Sequence, residues 1–174
     1  MRPIHESGDL AIRSYQTSDA GSLARLANNP KMAANLMNAF PHPYTAADAE
    51  AWVARSLADP SVTNWAVVWR GEYAGDIELI KKSDVNERTA GVGYWLGEPF
   101  WGQGIATQAL LAVTRHAFAD PSVLRLEAGV YSFNPASARV LEKAGYVFEG
   151  RQRHAVWKND VLADLLMYSR IRTD

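Results

Sequence analysis

The sequence predicts an α/β domain built on a mixed sheet flanked by helices. Two observations carry this. Three strand-like runs in the middle of the chain are joined by short turns and so pair antiparallel. A later strand–helix–strand stretch, with a sharply marked helix, reads as a crossover. The length of 174 residues suits a single domain spanning 1–174.

The elements follow in order, each from its own pattern. Leu10–Tyr15 alternates and reads as a strand. Thr17 or Ser18 is placed to cap a helix carrying Leu23, Ala24 and Ala27 on one face, and Asn28-Asn29-Pro30 stops it. Residues 30–44 form an irregular stretch with Met32, Leu36, Met37 and Phe40, bounded by prolines that forbid one continuous helix. Its apolar content reads either as a packed connection or as the lip of a substrate cleft. Thr45-Ala46-Ala47-Asp48 caps a helix with Ala49, Trp52, Val53, Ser56 and Leu57 on one face, which Asp59-Pro60 ends.

Strands follow at Asn64–Arg70, Tyr73–Lys81 and Thr89–Leu96, with turns at Arg70-Gly71-Glu72 and Ser83–Asn86. A helix covers about Gly104–Ala119, with Ala106, Ala109, Leu110, Val113 and Ala117 at helical spacing, and Leu124–Tyr131 is a strand. Asn134 at the N-cap, Pro135 at the first helical position and Gly145 just past the end delimit another helix. Strands at about Tyr146–Trp157 and Leu162–Ile171, joined by Lys158-Asn159-Asp160, complete the chain. The order is β-α-α-β-β-β-α-β-α-β-β, which is not that of a doubly wound dinucleotide fold.

Composition narrows the function classes. With 48% hydrophobic and 21% charged residues, the chain is neither disordered, collagenous nor a coiled coil. Its 18 basic residues balance 19 acidic ones, which argues against a nucleic-acid-binding surface. The absence of cysteine excludes disulfides, thiolate metal sites and a cysteine nucleophile, and it fits a reducing, cytoplasmic setting. No apolar run approaches the roughly 18–20 residues of a membrane span, and Met1–Ser7 lacks the apolar core of a secretory signal. Six tryptophans and seven tyrosines imply a large core or an aromatic-lined pocket.

The sharpest feature is Tyr94-Trp95-Leu96-Gly97-Glu98-Pro99-Phe100-Trp101-Gly102-Gln103-Gly104-Ile105-Ala106-Thr107, where a strand runs through a Gly-x-Gly-x-Ala turn into a helix. Glycines let backbone amides come close to a ligand. The first helical amides have no internal partner, and the helix dipole adds positive potential, so the turn suits phosphate. Taken alone, it also fits a tight structural turn. It is no Walker loop, because no Gly-Lys-Ser/Thr follows, and no Rossmann fingerprint, because the third glycine is missing.

With Asn134-Pro135-Ala136-Ser137-Ala138-Arg139-Val140-Leu141-Glu142-Lys143-Ala144-Gly145-Tyr146 and with Pro43-Tyr44-Thr45 ahead of an Ala/Trp-bearing helix, that turn resembles the GNAT superfamily of acyl-CoA-dependent N-acyltransferases. The likeness covers roughly residues 9–171. Within the superfamily it points to the Rim-type ribosomal-protein N-terminal acetyltransferases and their small-amine-acetylating relatives. The family's Arg/Gln at the head of the pyrophosphate loop is Trp101 here, an aromatic common in the Rim-type branch.

The resemblance implies a splayed sheet holding acetyl-CoA. Backbone groups near Trp95 and Leu96 would bond the pantetheine, and the run Trp101, Gly102, Gln103, Gly104, Ile105, Ala106 and Thr107 would hold the pyrophosphate. Asn134 would contact the pantetheine. Ser137 would serve as donor to the CoA thiolate, because the tyrosine that many members carry one turn later is Leu141 here. The helix pattern agrees: Ser137, Val140, Leu141 and Ala144 share a face, so Ser137 is expected to point inward. A local bond to a backbone carbonyl is the other reading of that hydroxyl.

The reaction so implied is acetyl transfer to a primary amine, a protein N-terminus or a small amine. Without cysteine it proceeds by direct attack in a ternary complex, the oxyanion taking a backbone N–H near Leu96. An α-amine, of pKa about 8, needs less help from a base than a lysine-like amine of about 10.4. Glu78, on the same strand face as Asp76, is the base candidate, and a Glu on this strand is similar to that of polyamine acetylators. A solvated or cation-binding carboxylate is its plainer reading. His154 is a second candidate, while the Glu that Rim-type enzymes tend to place two residues further on is Val156 here.

His5, His42, His116 and His154 lack metal-ligand spacing, so no metal is expected. Arg115, Arg139 and Lys143 read as helix-surface charges, and Trp65, Trp69 and Trp157 as core or cleft wall. The rival functions are a non-catalytic acyl-CoA sensor, a nucleotide-binding domain using the same anion turn, and a polyamine- or aminoglycoside-type acetyltransferase. Neither nucleic acid nor membrane is an expected partner, and an exposed late strand leaves a homodimer open.

Overall fold

The structure, a computed structural model, describes residues 3–58 and 63–173. The expected helix stop at Asp59-Pro60 lies outside the described residues, as do Met1 and Arg2 of the leader reading. The chain runs β1 (His5–Ser7), β2 (Leu10–Arg13), α1 (Asp19–Ala27), α2 (Pro30–Ala33), α3 (Ala46–Ala58), β3 (Asn64–Trp69), β4 (Glu72–Lys81) and β5 (Thr89–Leu96). It continues with α4 (Ile105–Ala119), β6 (Arg125–Tyr131), α5 (Pro135–Lys143), β7 (Val147–Lys158) and β8 (Val161–Ile171).

All the described strands join one sheet in the order β1-β2-β3-β4-β5-β6-β8-β7. Only β5 and β6 run parallel. The other pairs are antiparallel, as the short central turns required. The α4 crossover supplies the parallel pair, since parallel neighbours need a long connection.

Helices cover both faces, and strand alternation divides the core between them. Leu10, Ile12, Trp65, Val67 and Ile77 pack with Leu110 and Val113 of α4 and Leu141 of α5. Ala66, Val68 and Tyr73 point the other way, to Leu23 and Leu26 of α1 and Ala49 and Val53 of α3.

Two elements escaped the sequence pattern. The polar triplet of β1 has no alternation and is a strand only because it registers on β2, His5 opposite Ile12. The helix α2 sits inside the stretch read as irregular; Asn29 caps it through the Lys31 amide, with Pro30 at its first position. Asn29-Pro30 therefore starts a helix as well as ending one.

The caps were mostly legible. Thr45 and Asp48 form a reciprocal capping box, Thr45 N donating to Asp48 Oδ2 at 2.8 Å and Asp48 N to Thr45 Oγ1 at 3.2 Å. Asn134 Oδ1 accepts from the Ser137 amide at 3.1 Å. The start of α1 differs: Ser18 makes no capping bond. The Asp19 carboxylate instead accepts from the Gln16 amide at 2.7 Å and from both arms of the Arg13 guanidinium at 2.8 and 2.9 Å.

Candidate active site

The parallel pair sets the site. β5 and β6 are in register only at Thr89/Arg125, Ala90/Leu126 and Gly91/Glu127. Beyond that point β6 stays with β8 out to Tyr131, and β5 stays with β4 out to Leu96. The sheet therefore parts between them.

Backbone polarity on the exposed side of β5 follows from the antiparallel ladder. Gly97 N donates to the Ala74 carbonyl at 2.9 Å and Lys82 N to the Thr89 carbonyl at 3.3 Å. Odd-numbered residues of β5 thus address β4, and Val92, Tyr94 and Leu96 turn their amides and carbonyls into the gap. Leu96 faces the gap, as a pantetheine or oxyanion partner would have to. Trp95 does not: its main chain faces β4 opposite Asp76, and its indole Nε1 donates to Asp76 Oδ2 at 3.2 Å. The group that shares the gap with Leu96 is the main chain of Tyr94, and strand alternation could have shown it.

At the end of β5 the chain makes a short 3₁₀ turn, Glu98–Phe100, and enters the glycine turn. Gly102 and Gly104 have φ of 74° and 77°, the left-handed region that disfavours a Cβ. A Cβ at either would meet nothing within 4 Å, so the space in front of the turn is open. Gly104 caps α4 without any side-chain bond. Among the described residues, the amides of Gly102–Thr107 meet no backbone acceptor outside the helix, which leaves an array suited to an anion.

The side chains of the turn divide their work. Ile105 is buried and faces the core, so only its amide is available, while Ala106 and Thr107 are half-buried beside it. Gln103 Nε2 turns back to the Pro99 carbonyl at 2.8 Å. The Trp101 indole donates to the Leu96 carbonyl at 2.6 Å. Trp101, at 42% exposure, thereby ties the turn to the end of β5.

Across the gap stands α5. Its buried face is Ala138, Leu141 and Ala144, not the Ser137-centred stripe of the sequence pattern. Ser137 lies half-buried on the flank, with Oγ 3.0 Å from Tyr94 Oη. Tyr94 Oη also approaches the Ser137 carbonyl at 3.2 Å. Burial pushes the Tyr94 hydroxyl up to about 12, opposed in part by its hydrogen-bond pairing with Ser137. Leu141 is fully buried, at 0% exposure.

Glu78 lies on the opposite sheet face. It is half-buried, sits opposite Gly93, and burial raises its pKa. Its neighbour on that face, Asp76, is enclosed by aromatic donors, Tyr73 Oη at 2.5 Å and Trp95 Nε1. Burial pushes Asp76 up to about 7, although hydrogen bonds from Tyr15, Tyr73 and Trp95 pull it down. β4 and β5 come so close here that a Cβ on Gly75 would overlap the Trp95 carbonyl oxygen.

Residues 30–44 border this face. Met32 and Tyr44 are buried and Met37 is exposed. Phe40 stacks on Tyr44 at 4.9 Å and meets Trp95 edge-on at 6.3 Å. Asn38 Nδ2 reaches the Trp157 carbonyl of β7 at 3.4 Å, so the stretch spans to the late hairpin. It is a packed connection and a border at once.

The remaining candidates lie elsewhere. His154 is exposed in the bulge where β7 loses register with β8, its amide held by Asp164. Trp65 is core, with its ring edge-on to His116. Trp157, at 60% exposure, is not core. Arg115, Arg139 and Lys143 are exposed on their helices. Among the described residues, no helix is long and apolar enough to cross a membrane.

A mixed sheet that parts beside a glycine-led helix start, with a hydroxyl on one face and a carboxylate on the other, defines an α/β domain with an open, amide-lined cleft between two strands. Residues 9–147 match the family model described as "Acetyltransferase (GNAT) domain", and the chain belongs to that family. It is 30% identical over 120 residues to the "Putative ribosomal N-acetyltransferase YdaF" of Bacillus subtilis, covering 69% of this chain and 65% of the relative. It is 37% identical over 100 residues to the "Ribosomal-protein-serine acetyltransferase" of Escherichia coli, covering 58% and 55%. The matches thus span between half and two thirds of those relatives. Among solved structures, the fold is shared with the "RimL- Ribosomal L7/L12 alpha-N-protein acetyltransferase in complex with Coenzyme A", with TM-score 0.86, 24% identity and 98% of both chains covered.

Proposed function

We propose that this chain is a single-domain, cytoplasmic, acetyl-CoA-dependent N-acetyltransferase acting on a primary amine. The observation that carries this reading is the parting of β5 from β6 after Gly91/Glu127, at the foot of a gap whose far end carries the open amide turn Gly102–Thr107. The open space in front of Gly102 and Gly104 fits a diphosphate, and the gap-facing main chain of Tyr94 and Leu96 fits an extended amide-bearing arm. When bound there, acetyl-CoA supplies an activated thioester carbonyl.

The chain's own groups divide the remaining work. The Leu96 amide is aimed to donate to the developing oxyanion. Glu78, raised by burial, takes a proton from the acceptor ammonium before attack, or from the amine nitrogen as the C–N bond forms, directly or through water. Ser137 donates a hydrogen bond to the departing thiolate. Amine nitrogen forms the new C–N bond, the C–S bond breaks, the electron pair leaves on sulfur, and the displaced proton goes to Glu78 or solvent.

A protein N-terminus is the favoured acceptor. The acceptor-side border is built from Phe40, Tyr44 and Trp95, Asp76 is enclosed by aromatic donors and lifted towards neutrality, and the Escherichia coli relative is named for a ribosomal protein. A small-amine acceptor is the second reading, favoured by the Glu78 carboxylate beside the gap. The edge strand β7 exposes Val147, Phe148 and Trp157, which supports a homodimer formed there.

The test is saturable binding of acetyl-CoA, followed by CoA release across a panel of N-terminal peptides, polyamines and aminoglycosides. Binding with turnover on peptides is expected. Binding with no turnover on any amine makes the chain a sensor, and loss to ATP or NAD competition but not to CoA makes it a nucleotide-binding domain.

A further inference from the structure

We infer that Tyr94 is a positioning residue that directs the Ser137 hydroxyl at the thiolate leaving group, forming a two-hydroxyl relay across the gap. The inference rests on the acetyl-CoA reading and deepens it. The pair joins two elements that the parting of the sheet separates: Tyr94 on β5 and Ser137 on α5, Oη to Oγ at 3.0 Å.

Proton counting selects the useful arrangement. Tyr94 has one hydroxyl proton and two nearby acceptors, Ser137 Oγ at 3.0 Å and the Ser137 carbonyl at 3.2 Å. That carbonyl lies in the first turn of α5 and already receives the helical bond from four residues on. A Tyr94 proton given to Oγ leaves the serine proton free to point into the gap. A donor whose own oxygen accepts a hydrogen bond is also a stronger donor. Ser137 is fixed from a second side, since its amide is bonded to Asn134 Oδ1 at 3.1 Å. The neighbouring Tyr146 does not compete, because its hydroxyl is paired with Thr114 Oγ1 at 3.0 Å.

Magnitudes decide what the relay does. A free thiol has a pKa of about 8.5, well below a tyrosine pushed up to about 12. Moving the Tyr94 proton to sulfur is uphill by several units, so Tyr94 keeps it throughout. The relay stabilises the thiolate by hydrogen bonding alone, and the amine proton leaves by the other face.

The test needs no acceptor. CoA is bound to the intact protein and its thiol is titrated by the ultraviolet absorbance of the thiolate, with acetyl-CoA affinity measured alongside. In the wild type the bound thiol is expected to titrate at least about one unit below free CoA, a tenfold shift in favour of thiolate. Ser137→Ala should abolish the shift, Tyr94→Phe should remove at least half of it, and the double variant should match Ser137→Ala. Acetyl-CoA, which has no titrating thiol, should bind all four proteins within threefold.

A shift lost in Ser137→Ala but kept in Tyr94→Phe overturns the inference. So does a Tyr94→Phe loss that adds fully to that of Ser137→Ala, or one accompanied by an equal loss of acetyl-CoA affinity. An unshifted thiol in the wild type overturns both Ser137 as donor and the relay. Failure to bind CoA at all instead sinks the proposed function.

Discussion

A Cβ placed on Gly93 would stand 2.8 Å from Glu78 Oε1: the carboxylate lies across the backbone of the neighbouring strand, and only glycine leaves it room. Gly93→Ala is therefore expected to push the carboxylate aside. It should lower kcat while leaving acetyl-CoA affinity within threefold. Glu78→Gln should lower kcat/KM by about 10²–10⁴, the usual range for a lost general base. Because burial raises Glu78 and a base works only when ionised, the wild-type rate should climb at higher pH than an ordinary carboxylate would give. The climb should vanish in Glu78→Gln. A variant with wild-type rate and profile removes Glu78 from the mechanism.

Gly104 opens α4 at φ 77° with clear space in front of it. Gly104→Ala adds no clash, but its left-handed backbone costs about 1–2 kcal/mol. If the turn relaxes to relieve that strain, its amides lose their common aim. Calorimetry should show acetyl-CoA bound at least about tenfold more weakly, the equivalent of 1.4 kcal/mol. Gly21→Ala is the control. Gly21 lies within α1, also with nothing near its missing Cβ, and its replacement should leave binding unchanged and stabilise the fold by about 0.4–1 kcal/mol.

Asp76 gives a stability signature. Burial lifts it to about 7, whereas in the unfolded chain it titrates near 3.9. Between those values the folded protein holds the extra proton, so this group's contribution to stability is greatest on the acid side. It is lost as pH rises from about 4 to about 7, then levels off. Melting temperatures measured across that window for wild type and Asp76→Asn should diverge, with the wild type falling relative to the variant as pH increases. Parallel curves would show that Asp76 is not held near neutrality.

Leu141 stands where many superfamily members carry a tyrosine, but here it is sealed in the core. Leu141→Tyr is expected to cost about 1–3 kcal/mol by overpacking, read as a lower denaturation midpoint. It should not restore the activity lost in Ser137→Ala. Rescue would mean that the helix can turn that position to the gap.

Much of the site was readable from local sequence. Asn134, Pro135 and Gly145 mark α5 because caps are satisfied by neighbours in the chain. Gly102 and Gly104 mark a turn because only glycine takes their backbone angles without strain. Glu78 and Asp76 share a face because strands alternate. These are short-range constraints, and short-range order is what a linear pattern records.

Other features depend on pairing between distant segments. β1 is a strand only against β2, and α1 begins on an Asp19–Arg13 fork instead of a serine cap. Ser137 shares its helix face with Leu141 in the linear pattern, yet packing seals Leu141 and leaves Ser137 at the flank.

The sequence alone determined most of the element types, the caps of α3 and α5 and the glycine turn, since each is set by residues within a few positions of one another. Only the tertiary structure decided where β5 leaves β6 and that Tyr94 meets Ser137 across the gap so formed. Those outcomes depend on register between strands and on which helix packs over which edge, and no single stretch of the chain encodes either.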